Sequence, residues 1–312
     1  MKGTAMYDIP EHFTRFMIEM HEDEGVAWLE QLPMLLDDCA QRWSLTLEPP
    51  FTLSYNYVAP ATRADGTPVV LKVGFPSDEM PEQIPVLQHY AGHGMVQVLE
   101  ADPDWCAFVL ERLKPGVSLV HMEDDERATA IAAEVMRQLW QGPGGGAPPE
   151  NLCPSIADWG DGFRKMRAHF GGGTGPLPRA LVEEAESLFT DLLASQAAPV
   201  LLHGDLHHDN ILSATRAPWL AIDPKGVVGE PAYEVGALLR NWQPTLFAMA
   251  DPARATARRV DQLAEALEID RARIRGWGLA QAVLSAWWSI EDSGYGWEPT
   301  IACAELLATV KA

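Results

Sequence analysis

The feature that most constrains the fold is a change of hydrophobic period partway along the chain. From Phe51 to Leu110 the apolar residues come in short, β-branched runs. "FTLSYNYVAPATRADGTPVVLKVGF" sets two such runs on either side of an Asp-Gly turn of the kind that joins antiparallel strands. "MVQVLEAD" and "WCAFVLERL" predict two further strands, and "EMPEQIPVLQHYAG" predicts a helix that is either interrupted at Pro85 or begins there. After "LKPGVSL" the period becomes helical. Ile131, Val135, Met136 and Leu139 form one stripe, and Leu181, Ala185, Leu188, Phe189 and Leu192 a second. Val260, Leu263 and Leu267 form another, as do Ala280, Val283, Leu284 and Trp287. The breakers "QGPGGGAPPE" and "GGGTGPLP" separate the earlier helices. Phe13, Phe16, Met17 and Met20, then Trp28, Leu29 and Leu32, predict amphipathic helices over the opening residues. No internal repeat is present. The pattern predicts an α+β protein with a β-rich region over 1–112 and a mainly helical region over 113–312, the boundary falling within Glu111 to Gly116.

Inside the helical region two short strands are expected, "PVLLH" and "WLAID", as a small hairpin-like insertion around "HGDLHHDNIL". A dinuclear metal hydrolase would want a His-x-His pair here, each imidazole reaching one ion. His203, Asp205 and His207 alternate without supplying that pair, and His89, His93, His121 and His169 add no ligand spacing. A phosphotransfer loop asks for an Asp that orients the acceptor hydroxyl, an Asn five residues later, and a second Asp after the next strand. Asp205, Asn210 and Asp223 meet that order and context. Two hard oxygen ligands, Asn210 and Asp223, suit Mg²⁺. Such a loop also needs a strand lysine to neutralise nucleotide phosphates, and "PVVLKV" supplies Lys72. "FVLERLKPG" then offers backbone groups of Glu111 to Leu113 to an adenine edge.

Charge narrows the partners. With 44 acidic against 23 basic residues the net charge is -21, which repels nucleic acid and anionic membranes and attracts a cationic small molecule. A monomer or small homo-oligomer is expected. Cys39, Cys106, Cys153 and Cys303 are scattered and predict free thiols in a reducing compartment. "MKGTAMYDIPEHF" lacks the apolar core of a signal peptide, and no run approaches the ~18 apolar residues of a membrane span. A cytoplasmic protein is expected.

These motifs resemble the aminoglycoside phosphotransferase branch of the kinase-like fold. More narrowly they resemble the aminoglycoside/hydroxyurea resistance kinases, a family that includes the streptomycin 6-phosphotransferases. The likeness is carried by "NYVAPATRADGTPVVLK", "FVLERLKPG", "LLHGDLHHDNIL", "AIDPKGVVGEPAYEVGALLRN" and "VLSAWWSIEDSGYGWEP". It implies a bilobal protein-kinase-like fold, with a β-rich N-terminal lobe and a mainly helical C-terminal lobe. It also implies ATP, Mg²⁺, and transfer of the γ-phosphoryl group to a hydroxyl of an aminoglycoside, streptomycin being the leading acceptor. Carried over, Asp205 is the catalytic base, Asn210 and Asp223 are the Mg²⁺ ligands, and Lys72 binds phosphate. His203 is a structural residue of the loop, and His207 either braces the loop or approaches the phosphates.

The chain departs from the wider kinase pattern in two places. It has no Gly-x-Gly-x-x-Gly, so "FTLSYNYV" must cover the phosphates with Ser54, Tyr55 and Asn56. The place expected for the carboxylate that pairs with Lys72 falls on Gln83, with Glu82 beside it and Glu79 one turn earlier; Glu82 is the expected partner. The two guanidinium groups of streptomycin call for carboxylates, for which Glu230, Glu234, Glu291 and Asp292 are the candidates, with Asp158 and Asp161 behind them. Trp287 and Trp288 offer cation–π surfaces, at least one of the two being expected in the core. Lys225 meets a phosphate or a nearby acid. His208 and Asp209 are expected to face solvent. The other readings are a kinase of hydroxyurea or another small hydroxylated metabolite, a metal-dependent hydrolase, and a non-catalytic nucleotide-binding pseudokinase.

Overall fold

The computed structural model describes residues 7–76, 79–142, 148–149, 152–241 and 243–311, without the side chains of residues 79–81, 243 and 244. The chain divides into two compact units, Met1–Lys114 and Pro115–Ala312.

The first unit opens with α1 (Glu11–Arg42), two helical limbs that meet at a kink at Glu22, where φ is 49° and ψ is -128°. Phe13, Met17, Trp28, Leu32, Leu36 and Cys39 form its buried stripe, from which Met20 is left out at 39% exposure. The bend is tight enough that a Cβ on Gly25 would lie 2.4 Å from the Met17 carbonyl oxygen, so a residue without a side chain is needed there. Strands β1 (Leu45–Leu47), β2 (Asn56–Arg63) and β3 (Pro68–Gly74) follow, then α2 (Glu79–Tyr90), β4 (Val98–Asp102) and β5 (Ala107–Glu111). All pairings are antiparallel, in the order β1-β2-β3-β5-β4. The Asp-Gly turn joins β2 to β3, with Gly66 at φ 87° and the Asp65 carboxylate accepting from the Thr67 amide at 2.9 Å. Helix α2 runs through Pro85 instead of starting there. Alternate residues of the sheet, among them Tyr57, Ala59, Ala61, Val69, Leu71, Val73, Ala107 and Val109, share one core with the stripe of α1.

The second unit contains α3 (Asp125–Trp140), α4 (Ile156–His169) and α5 (Arg179–Ala194). Four short strands come next: β6 (Val200–Leu202), β7 (Ile211–Ser213), β8 (Trp219–Ala221) and β9 (Val227–Gly229). The chain ends in α6 (Val235–Arg240), α7 (Gln243–Ala248), α8 (Pro252–Leu267), α9 (Arg271–Ser293) and α10 (Glu298–Thr309). Helix α9 is the axis of the unit, buried along most of its length from Ile274 to Trp287 and packed against α4, α5, α6, α8 and α10. Part of the acidity is helix capping. Asp124, Asp251 and Asp270 accept from backbone amides at the starts of α3, α8 and α9, and Ser155 with Asp158 forms a capping box on α4.

The expected hairpin of "PVLLH" with "WLAID" does not form. Strand β6 pairs with β9, and β7 pairs with β8, giving two separate ladders. The run "VVG" that becomes β9 is too short for its period to show in the sequence. Among the described residues no helix is long and apolar enough to cross a membrane, and all four cysteines are free.

Candidate active site

The loop after β6 is held from beneath by one carboxylate. The amides of His203 and Gly204 donate to Glu234 Oε2 and Oε1 at 2.7 and 3.0 Å. Glu234 has no solvent exposure, and burial, against those two bonds, raises its carboxyl to about 7. The His203 ring is equally enclosed. The Asp205 amide donates to its Nδ1 at 3.2 Å, so Nε2 carries the proton it gives to the Ile222 carbonyl at 2.7 Å. Burial holds this ring down at about 4, which keeps it neutral. Gly204 adopts φ 83°, and a Cβ there would lie 2.8 Å from Cη2 of Trp159. Both its backbone conformation and its neighbour require glycine.

This anchoring sets Asp205. Arg240 Nη2, at the end of α6, donates to Asp205 Oδ1 at 2.8 Å. His207 Nε2 lies 3.9 Å from Oδ2. Burial would raise the carboxyl, but Arg240 and then His207, Lys225 and His203 outweigh it and hold it down at about 2. Asp205 is therefore a fixed anion and a weak base.

Asn210 closes the loop. A single 3-10 turn over His208–Asn210 brings its Nδ2 onto the Asp205 carbonyl at 2.9 Å, which leaves the Oδ1 side of the amide turned away from that carbonyl. The β7–β8 register then sets Ile211 opposite Ala221, and the Ile222 amide donates to the Asn210 carbonyl at 2.9 Å. Asp223 is the next residue, in the left-handed region at φ 55°, a conformation that few non-glycine residues hold. The ladder thus sets Asn210 and Asp223 at neighbouring backbone positions, one carrying an amide oxygen and the other a carboxylate. That donor set is hard and oxygen-only, and it fits Mg²⁺. Among the described residues no three His, Cys, Asp or Glu side chains converge on a common metal position, so the hydrolase reading has no ligand set.

In the first unit Lys72 projects from β3, is 3% exposed, and donates to Gln83 Oε1 of α2 at 3.0 Å. Its ammonium lies 5.6 Å from the centre of the Phe108 ring. Glu82, the expected partner, is instead exposed, because the helical step from Gln83 turns it to solvent. The Glu79 side chain lies outside the described residues. The Glu111 amide donates to the Gln97 carbonyl and its carboxylate accepts from the Gln97 amide, both at 2.9 Å, so that amide is committed to the sheet. Leu113 lies beyond the strand end, half-buried, and its backbone makes no hydrogen bond among the described residues.

The family model described as aminoglycoside/hydroxyurea antibiotic resistance kinase matches residues 42–293. The chain belongs to that family. It is 34% identical over 328 residues to a streptomycin 6-kinase of Streptomyces griseus, spanning 99% of both chains. A streptomycin 6-kinase of Streptomyces glaucescens is 32% identical over 310 residues, spanning 96% of both. Among solved structures, a thermostable mutant of aminoglycoside phosphotransferase APH(4)-Ia in ternary complex with ADP and hygromycin B is similar in fold. Its TM-score is 0.59 at 18% identity, covering 86% of this chain and 97% of that one. The protein is thus a small-molecule phosphotransferase with a protein-kinase-like α+β fold, as the motifs implied.

Within this kinase the candidate substrate carboxylates divide. Glu230 is 1% exposed and accepts from Arg273 Nε at 2.8 Å on both oxygens, from Trp277 Nε1, and from the Ala197 amide at 3.1 Å. It ties α9 to the loop before β6. Glu234 is spent on the catalytic loop, as described. Both follow Asp223 closely in sequence, but the chain turns inward there, and both carboxylates are buried on protein partners. Glu291 and Asp292 are exposed at the end of α9, one turn after Trp288. Trp287 is core, packed on His169 and Phe170. Trp288 is half-buried and meets Trp159 edge-on, ring centres 5.4 Å apart. Asp158 is a helix cap, Asp161 pairs with Arg164, and the amide of Lys225 donates to the His203 carbonyl at 2.9 Å.

His208 does not face solvent as expected. The 3-10 turn sends its ring inward, and burial followed by the charge of Arg259 pushes it down to about 3. Asp209 is exposed. His207 braces the loop, its Nδ1 accepting from the Asp209 amide at 3.3 Å. Two residues escaped the sequence reading. Arg240 had a legible signal, being the one charged residue in the otherwise apolar run "VGALLR", where a cation needs a carboxylate partner. Trp159 had none, since its place over Gly204 depends on tertiary packing alone.

Proposed function

We propose that this kinase transfers the γ-phosphoryl group of ATP to a hydroxyl of streptomycin. The observation that carries the reading is the Asp205 carboxylate, kept ionised by Arg240 and fixed through its own backbone to Asn210, whose carbonyl takes the Ile222 amide just before Asp223. In transfer through a loose transition state little charge builds on the acceptor oxygen until late, so a weak base suffices. Asp205 orients the hydroxyl and takes its proton as the new O–P bond forms. Lys72 meets the nucleotide phosphates, and the Leu113 amide donates to the adenine edge. Asn210 and Asp223 would hold Mg²⁺, which when bound neutralises charge on the phosphates. ATP as donor implies action in the cytoplasm.

The acceptor is inferred from three supports. The sequence is similar to streptomycin 6-kinases over nearly its full length. Trp159 touches Gly204, the residue before Asp205, and shares an edge contact with half-buried Trp288, so the two rings form an aromatic surface beside the catalytic loop that suits a guanidinium face. Glu291 and Asp292 supply carboxylates one turn further along α9 from Trp288. The test is ADP release with streptomycin, other aminoglycosides and hydroxyurea as acceptors. Streptomycin is expected to stimulate turnover most and to leave as a monophosphate. Greater stimulation by hydroxyurea, or none by any acceptor, contradicts the assignment.

A further inference from the structure

The turn between β1 and β2, the one expected to cover the nucleotide phosphates, contains no glycine. The hairpin continues past β1, with the Glu48 amide on the Pro60 carbonyl and the Phe51 amide on the Val58 carbonyl, both 2.9 Å. Val58 is also the residue opposite Lys72, and Asn56 is opposite Gly74. At ~3.4 Å per residue the turn from Thr52 to Tyr55 therefore begins within about 10 Å, along the strand, of the lysine assigned to phosphate.

Three contacts from the first limb of α1, before the bend at Glu22, hold this end of the sheet. His12 Nε2 lies 3.3 Å from the Leu53 carbonyl. Phe16 meets Tyr55 edge-on, ring centres 5.1 Å apart and planes at 87°. His21 stacks on Phe75, just past β3, at 3.8 Å and 10°. Leu53 is buried in the same core as Phe13 and Met17. Beyond the bend, Leu32, Leu36 and Cys39 belong to that core, as does Trp28, which also meets Phe75 edge-on with ring centres 6.0 Å apart. The match to the family model begins at residue 42, so this limb lies outside the matched segment.

We infer that the limb Glu11–His21 is a brace that positions the glycine-free turn over the triphosphate of a bound nucleoside triphosphate, with His12 and Phe16 as its positioning residues. A glycine-rich loop can approach phosphate closely because it carries no side chains; a loop with side chains has to be held in place from outside. His12 fixes the backbone of the turn at Leu53 and Phe16 fixes its side chain at Tyr55, so ordering is completed before ATP arrives. The inference rests on the ATP-dependent reading above.

The test is the KM for ATP and kcat with streptomycin, together with AMP-PNP affinity in the presence of Mg²⁺, for H12A, H12Q, F16A and M34A. Met34 lies on the second limb and is 60% exposed. H12A and F16A are expected to raise both the ATP KM and the AMP-PNP Kd by about three- to tenfold, the worth of one hydrogen bond or ring contact. Their kcat at saturating ATP and their KM for streptomycin stay near wild type. H12Q, which keeps a donor, returns the ATP KM towards wild type, and M34A matches it throughout. Unchanged AMP-PNP affinity in H12A overturns the brace, as does an equal shift in M34A or a loss of kcat with KM unaltered. If F16A does not fold, H12A and H12Q decide alone. Absence of streptomycin-stimulated turnover in the unsubstituted enzyme is a different result, which removes the underlying reading.

Discussion

Asp205 is useful because its surroundings forbid it from changing charge. Its carboxyl sits at about 2 against an ordinary 3.8, although burial pulls the other way. The sign follows from that difference. Ionised Asp205 contributes stability at all pH above the ordinary carboxylate range, and the contribution is lost as pH falls from about 4 towards 2. The acid limb of kcat/KM above about pH 4 therefore does not belong to Asp205. Replacing its main counter-charge, in R240Q, leaves burial opposed only by His207, Lys225 and His203. The carboxyl is then expected to rise, moving an acid limb upward into the measurable range, with kcat down by about 10²-fold from lost orientation. A pH–rate profile of R240Q checks this; a profile superposable on that of the unsubstituted enzyme refutes it. Glu234 makes a separate prediction. E234A strips the acceptor from two buried amides, at about 1–3 kcal/mol each, and is expected to lower urea stability and activity together. A variant that loses neither would show that the loop holds itself.

At the scale of elements, Glu230 with Arg273 fastens α9 to the loop before β6, and Trp277 donates to the same carboxylate. Truncation in E230A leaves a mostly buried guanidinium without its carboxylate. It is expected to cost about 3 kcal/mol, the lower end for a broken buried pair since Arg273 keeps some solvent. Denaturant titration measures it, and a cost below about 1 kcal/mol would return Glu230 to the substrate candidates. The aromatic surface gives the opposite signature. W288L is expected to raise the streptomycin KM severalfold through loss of a cation–π face, with ATP KM unchanged and little effect on stability.

The same elements show what was legible beforehand. Amphipathic periods gave the long helices, and the Asp-Gly turn gave β2 and β3, because local sequence decides both. Strand β9 and the split ladders were not legible. Three-residue strands carry no period, so their pairing depends on contacts distant in sequence. That Glu230 and Glu234 turn into the protein was not legible for a related reason: proximity to Asp223 in sequence says nothing of which face a residue turns to. The partner of Lys72 is Gln83, where the motif register falls; the expectation of Glu82 follows charge, and helix phase turns that carboxylate to solvent.

For the whole molecule, the net charge of -21 is consistent with a cationic acceptor drawn by the summed field. Screening weakens that attraction, so kcat/KM for streptomycin is expected to fall as ionic strength rises, while kcat at saturation holds. The central claim is narrower: one fixed carboxylate directs phosphoryl transfer from ATP to this antibiotic. Single-turnover formation of streptomycin phosphate, compared between the unsubstituted kinase and D205A under saturating ATP and Mg²⁺, tests it directly. D205A is expected to slow the transfer by about 10²–10⁴-fold, with nucleotide affinity retained. Transfer by D205A at the unsubstituted rate, or no streptomycin phosphate from either protein, would contradict the account.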